Sequence, residues 1–380
     1  MQRPQNRGAQ AGEVPLTTAI RIPGRRASAS QLALLCALAC AGHASAQFSR
    51  LADEIEWKRL DVHPRPTLLK DPGLGVYGRV DLGLVRREFG ADNELRCRPE
   101  PTGTRWALDS ASRSHIGLRQ DAPLGSGLNV HLRLEHSFDA SRGRLANDCK
   151  VFFDAAQSVA ISHQDWGRIE LGRRDQPAWQ VALLADPWGG SSVGSPGLKH
   201  YRTPPVRGGL HRMRTDRALT LQSRDLAGLR IDLQASLPEG DGPGVEHGGA
   251  WWYDTGNWRL AIGWQRWDSD NQALPMAAVW QVGMARLHLG HTSGRVGGAR
   301  YSSALVALSV EERSGARRGE WRWGLNHRVE DGKASITRLS LGHVLPLNRR
   351  VAVYFNGAVQ HGRGRTDAAV DFGFRQAFSL

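Results

Sequence analysis

Arg79, Arg133 and Arg214 are the residues whose placement points most directly to chemistry. In residues 75–85, Val76, Gly78, Val80, Leu82 and Leu84 share one face of an alternating segment, while Tyr77, Arg79, Asp81 and Gly83 share the other. Leu128, Val130, Leu132 and Leu134 alternate in the same way with Asn129, His131, Arg133 and Glu135. A strand face that carries Arg and Glu along its length needs water, and an all-aliphatic face needs an apolar medium. The chemistry such a charged face offers is electrostatic: it attracts and sorts ions. Covalent chemistry finds little support. No G-x-S-x-G or H-E-x-x-H occurs, no glycine-rich loop precedes a helix, and nothing in the spacing of Ser223, His211 and His247 singles them out. We therefore expect no catalytic residue, no cofactor site and no metal site.

The elements that must position these side chains are strands. From residue 75 onward, period-two patterning recurs with turn residues between, giving sixteen segments from 75–86 to 368–378. No helical-period stretch exceeds about ten residues after the N-terminal region. One set of connections is short, as in Pro123-Leu124-Gly125-Ser126-Gly127 and Asp254-Thr255-Gly256-Asn257. The other set is mostly longer and more polar: 87–111, 139–150, 175–213, 238–247 and 360–367. Short and long connections alternating around an even number of strands are what a barrel spanning an outer membrane requires. The segment 175–213 is too long for a plain hairpin loop. The turn 311–319 is long and charged for the short set.

The N-terminus supplies the compartment. Arg21, Arg25 and Arg26 precede an apolar run over 32–41, and Ala44-Ser45-Ala46 fits a cleavage site, so residues 1–46 read as an export signal and 47–74 as an irregular extension. No run of 18 apolar residues exists, which excludes a spanning helix but not spanning strands. The chain holds 50 basic and 37 acidic residues; the signal would remove five arginines and one glutamate, leaving +9. An exported basic chain points to anions rather than nucleic acid. Cys36 and Cys40 leave with the signal. Cys97 and Cys149 remain in an oxidising compartment without zinc-ligand spacing, and we expect a disulfide between two outer loops, with two free thiols as the alternative.

Specific stretches now show a likeness. Leu74-Gly75-Val76-Tyr77-Gly78-Arg79-Val80-Asp81 resembles the opening strand of Gram-negative general porins. Ser114 to Arg119 with Pro123 to Leu128 resembles their second strand and first turn, and Leu132-Arg133-Leu134-Glu135 continues it. Trp166 to Arg173, ending in Leu171-Gly172-Arg173, resembles the fifth strand. Residues 370–378 resemble the last strand, with the closing aromatic, Phe378, displaced by two residues from the end. The pieces occur in family order over 74–380 and are most similar to the porins common in beta-proteobacteria.

The resemblance implies an all-β fold: a transmembrane 16-stranded antiparallel β-barrel, residues 75–380, usually a homotrimer, with the third loop (175–213) folded into the lumen. It implies a pore lined by Arg79, His115, Arg133, Arg173 and Arg214, with Asp186 on the constriction loop. His115 stands where an arginine is usual, and Ala155 or Ala156 where strand four usually offers another. Arg173 shares parity with Ile169 and Leu171, and we expect a bulge to re-aim it inward. The implied partners are outer-membrane lipid and lipopolysaccharide and small hydrophilic or anionic solutes, with no nucleic acid. Trp251, Trp252, Trp258, Trp264, Trp267, Trp280, Trp321 and Trp323 are expected to form interfacial belts. The function implied is a passive, anion-preferring diffusion channel. A solute-specific anion channel is the first alternative and an outer-membrane enzyme the second.

Overall fold

A computed structural model describes residues 74–88, 103–145, 152–197, 200–204, 213–237, 245–314 and 317–379. The strands are β1 (Leu74–Arg87), β2 (Gly103–Asp109), β3 (Ser114–Gly125), β4 (Leu128–Asp139), β5 (Arg144–Leu145) and β6 (Ala156–His163). They continue with β7 (Gly167–Asp175), β8 (Arg214–Gln222), β9 (Leu229–Ser236), β10 (His247–Asp254), β11 (Trp258–Arg266) and β12 (Gln272–Val282). The last are β13 (Ala285–Val296), β14 (Ala299–Ser314), β15 (Arg317–Glu330), β16 (Lys333–Pro346), β17 (Val351–Gly362) and β18 (Arg365–Ser379). One helix, α1 (Pro177–Ala185), lies between β7 and β8.

All strands belong to one antiparallel sheet. β2 and β3 both pair with β1, and β5 and β6 both pair with β4, so each of these pairs is one interrupted wall strand and the barrel has 16. The sheet closes on itself where β1 pairs with β18, from Tyr77↔Ser379 to Arg87↔Ala369. Closure removes the open edges that would otherwise expose unpaired N–H and C=O groups. At the seam the ring of Phe378 lies over Gly78, where a Cβ would meet it at 2.5 Å.

The alternation read from the sequence sets the two faces. Leu289, Val306, Leu325, Leu339, Phe355 and Phe372 are exposed on the outside, while Arg79, Asp81, Asn326, Asn356 and Arg375 are buried on the inside. Five of the tryptophans expected in belts are exposed outside: Trp251, Trp258, Trp280, Trp321 and Trp323. Trp258 and Trp280 stack in register at the end of their hairpin, with centroids 5.3 Å apart, and Trp264 packs on Trp251. Trp252 and Trp267 depart from the expectation: both are fully buried inside the barrel, where they support the loop described below.

Connections also differ from the sequence reading. Residues 360–367 were expected as a long loop; instead β17 and β18 run through them and join at Arg363-Gly364, both with positive φ, a two-residue hairpin turn. The stretch 311–319 is likewise mostly strand, paired from Glu311↔Glu320 to Ser314↔Arg317, so the β14–β15 hairpin lengthens the wall there. β2 lies within 87–111, which was read as polar loop. Cys97, Cys149, the expected export signal and all of the expected extension over 47–74 except Leu74, the first residue of β1, lie outside the described residues.

Candidate functional site: the lumen and its inward-folded loop

The loop after β7 begins with a helix inside the barrel. Pro177 opens α1, where a missing N–H costs nothing, and Asp186-Pro187 ends it, because the residue before proline is pushed to extended geometry. Eight of its nine residues are buried. They pack on an inner wall of small side chains, Ala250, Ala261, Ala273, Ala277 and Ala307, with Trp252 and Trp267 beside them. Glycines permit the approach: a Cβ on Gly263 would lie 2.9 Å from the Ala178 Cα, and one on Gly290 would lie 2.6 Å from the Ala185 Cβ. Small apolar side chains at the contact on β10–β14 reserve this part of the wall for the helix.

Beyond α1 the loop stays on the wall. Trp188 is buried against Gly324 and Gly342 and donates its indole N–H to Asn356 Oδ1 at 2.9 Å. The Val193 N–H donates to Asp371 Oδ2 at 2.7 Å, and Arg338 donates to the Val193 carbonyl. Ser192 N–H donates to the Ala111 carbonyl at 2.6 Å. Ala111 N–H in turn donates to Asp81 at 2.9 Å, as does the hydroxyl of Tyr354 at 2.8 Å, and Arg375 pairs with the same carboxylate. On its return the loop places His200 between Thr292 and Ser303, and Arg202 pairs with Glu330. The loop therefore follows the inner wall from β10 to β18, reaches Val85 of β1 and Ala111 before β3 at its far point, and leaves most of the inner face of β1–β9 as the opposite bank.

Asp186, expected to line the constriction, belongs to the loop's interior instead. It is 3 % exposed. Its carboxylate accepts from the backbone N–H of Trp188 (2.9 Å) and Gly190 (2.8 Å) and from Ser195 Oγ (2.6 Å). Burial pushes its carboxyl up from the ordinary value, and these donors pull it back. The only other acid in 175–213 is Asp175, which pairs with Arg214 at 2.9 Å and clamps the loop's root. Both carboxylates are thus committed to holding the loop.

The bank formed by β1, β3 and β4 carries three of the expected residues. Arg79 and His115 are opposite each other in register, and both are buried on the inner face. Arg79 donates to the Arg113 carbonyl at 2.9 Å. Arg133 donates to Glu135 at 2.8 Å and to the Tyr77 hydroxyl at 3.1 Å, and Tyr77 donates to Glu135 at 2.9 Å. Ala156, where a further arginine is usual, is a buried inner-face residue at the start of β6.

The wall is irregular at Arg173: Gly172 before it takes a φ of 131°. A bulge is present, but its extra residue lies in β8: Gly172 pairs with Ala218 and Arg174 with Thr215, so Asp216 and Arg217 together oppose Arg173. Arg217 takes the positive φ of 48°. Arg173, opposite Gln157, is buried, where Leu171 two residues earlier is exposed. There it donates to the Asp154 carbonyl at 2.8 Å and pairs with Asp216. Arg174 takes the inner face and reaches Glu170 at 3.2 Å.

Nothing resembling a catalytic centre is brought together by Ser223 and His247, which lie at opposite ends of the barrel wall, after β8 and at the start of β10. Among the described residues no group of three or more His, Cys, Asp and Glu side chains has metal-holding geometry.

Comparison with known proteins bears on the same barrel. A family model described as Gram-negative porin matches residues 32–365. An outer membrane porin protein of Bordetella pertussis is 27% identical over 122 residues, which cover 30% of this chain and 31% of that protein's length. The anion-selective porin from Comamonas acidovorans superposes with a TM-score of 0.67 at 20% identity, over 80% of this chain and 99% of that one. The trimer form of OmpT, an outer membrane protein of Vibrio cholerae, does so with a TM-score of 0.58 at 11% identity, over 80% and 99%.

Proposed function

This chain belongs to the Gram-negative porin family, and from that premise we propose that it is a passive outer-membrane diffusion channel for small hydrophilic solutes that prefers anions. The observation that carries the preference is the state of the loop's carboxylates. Its only two acids, Asp175 and Asp186, are an ion-pair clamp and a buried anchor. The bank across the lumen supplies the guanidiniums of Arg79 and Arg133, with His115 a polar neighbour opposite Arg79. A passage with basic groups on one side and no free acid on the other biases the local ion population toward anions. No covalent step is involved: solutes are sieved by width and sorted by charge. The reading includes a homotrimer, supported by the trimer form of a structural relative, and export by cleavage after Ala46.

The test is ion selectivity of the purified protein in a planar bilayer under a salt gradient. A reversal potential set mainly by chloride supports the proposal; one set by potassium removes the anion preference.

A further inference from the structure

The inner face of β6 is lined only by Ala156, Ser158, Ala160 and Ser162, so the wall sinks to a shallow trough whose floor is covered by the long side chains of the two banks beside it. The register fixes the banks. Arg119 of β3 is directly opposite Arg133 of β4, and Arg133 is opposite Ser158. On the far side, Arg168 of β7 is opposite Ser162, and Glu170 is opposite Ala160. Three strand spacings, about 14 Å, separate β3 from β7, a span that arginine arms from both sides can close.

Three guanidiniums here are only partly engaged. Arg168 Nε donates to Glu170 at 3.0 Å, and Arg174 Nε lies 3.2 Å from the other oxygen of the same carboxylate. Arg119 Nε donates to Asp121 at 2.8 Å. In each case the contact is through Nε, and the Nη donors meet no acceptor among the described residues. All three side chains keep access to lumen water, with Arg119 at 35% exposure. Arg119 and Arg168 are close enough to repel each other electrostatically. Like charges gathered across a trough, with paired donors unengaged, are matched by an anion that has several acceptor oxygens. Chloride, a single point charge, does not satisfy two planar forks at once.

We propose that the trough over β6 is a binding station for small multivalent oxyanions, of the phosphate or dicarboxylate class, held between Arg119 of β3 and Arg168 and Arg174 of β7. The proposal rests on the channel reading for its setting and names the solute class that the channel would favour. Asp121 and Glu170 orient the forks through their Nε atoms. Ser162, bonded to His131 at 2.7 Å, lies on the trough floor. The station lies on the β3–β7 wall, away from the strands that the loop covers.

Inorganic phosphate is the probe. In potassium chloride at constant ionic strength, phosphate should reduce the wild-type chloride current along a saturating curve. The Arg119→Gln/Arg168→Gln variant should need a concentration about tenfold higher for the same effect. Arg168→Lys keeps the charge but removes the fork and should weaken the effect nearly as much as Arg168→Gln. A linear, unsaturating response of the wild type, or variants that respond as it does, would overturn the station while the chloride current still upheld the channel. If no current flowed at all, the channel reading would fail. Calorimetric phosphate binding to the detergent-folded protein would then decide the station alone: saturable binding lost in the double variant supports it, and no binding overturns it.

Discussion

The backbone N–H of Val193, at the far point of the inward-folded loop, donates to Asp371 of the last strand at 2.7 Å, across 178 residues of sequence. The other Asp371 oxygen accepts from Asn356 Nδ2 at 2.6 Å, and Asn356 receives the Trp188 indole. One carboxylate thus holds both the loop and the residue that seats its tryptophan. Asp371→Ala leaves two buried donors without an acceptor, at a cost of about 1–3 kcal/mol each. We expect a noisier open state and faster proteolysis within 188–197. Wild-type noise and protection would show that the tip is held by packing alone.

The fit of α1 to its wall gives a second prediction. Gly290→Val places a Cβ where Ala185 and His200 already lie, at 2.6 and 2.9 Å. Overpacking of this kind costs about 1–3 kcal/mol, and relief is available only by moving the helix toward the lumen. Single-channel conductance should fall. Gly357→Ala is the control, since its nearest neighbour would be a carbonyl oxygen at 3.9 Å, and its conductance should match the wild type.

Arg133 tests the charge of the bank. Arg133→Gln removes one positive charge and takes from Glu135 its guanidinium partner. A unit charge about 8 Å from a passing ion in water-like dielectric is worth about 0.5 kcal/mol, or about a factor of two in occupancy. The chloride-to-potassium permeability ratio should therefore drop by about twofold or more. An unchanged ratio would remove Arg133 from the conducting path.

His200 makes loop docking pH-dependent. Burial pulls its pKa down from the ordinary 6.5 to about 3. Its ring faces Thr292 of β13, Ser303 of β14 and Asn326 of β15, all neutral, with His291 acting on it electrostatically and no carboxylate among these partners. The undocked loop binds a proton below about pH 6.5 and the docked loop only near pH 3, so docking weakens as pH falls through that window. Asp186 acts with the opposite sign: its pKa is raised, so its contribution declines as pH rises past 3.8. Hydrogen exchange across 197–204 should accelerate from pH 6.5 downward in the wild type, after correction for intrinsic rates. That acceleration should be absent in His200→Gln, and its persistence there would assign it to another group.

The strand faces were legible because one side of the wall meets an apolar medium and the other meets water. That contrast placed Tyr77, Arg79 and Asp81 together and fixed Arg133 beside Glu135. The length of 175–213 announced a loop with work inside the barrel. What the loop does with its polar groups was not legible, because it depends on contacts far apart in sequence. Asp186 reads as a free acid until the N–H groups of Trp188 and Gly190 fold back onto it. Trp252 and Trp267 resemble belt residues until the helix covers them. A bulge was expected at Arg173, and its extra residue is in β8, which the sequence of β7 does not mark. Asp371 had a usable signal: it shares the inner parity of Gly373 and Arg375 in β18.

The central claim is an open, anion-preferring pore whose loop contributes no free carboxylate. The most direct measurement is the zero-current potential of single channels of the purified protein under a tenfold potassium chloride gradient. We expect a potential on the chloride side, with conductance steps in groups of three, and a shift toward potassium in Arg133→Gln. A potential on the potassium side, in a barrel that is folded and conducting, would contradict the account.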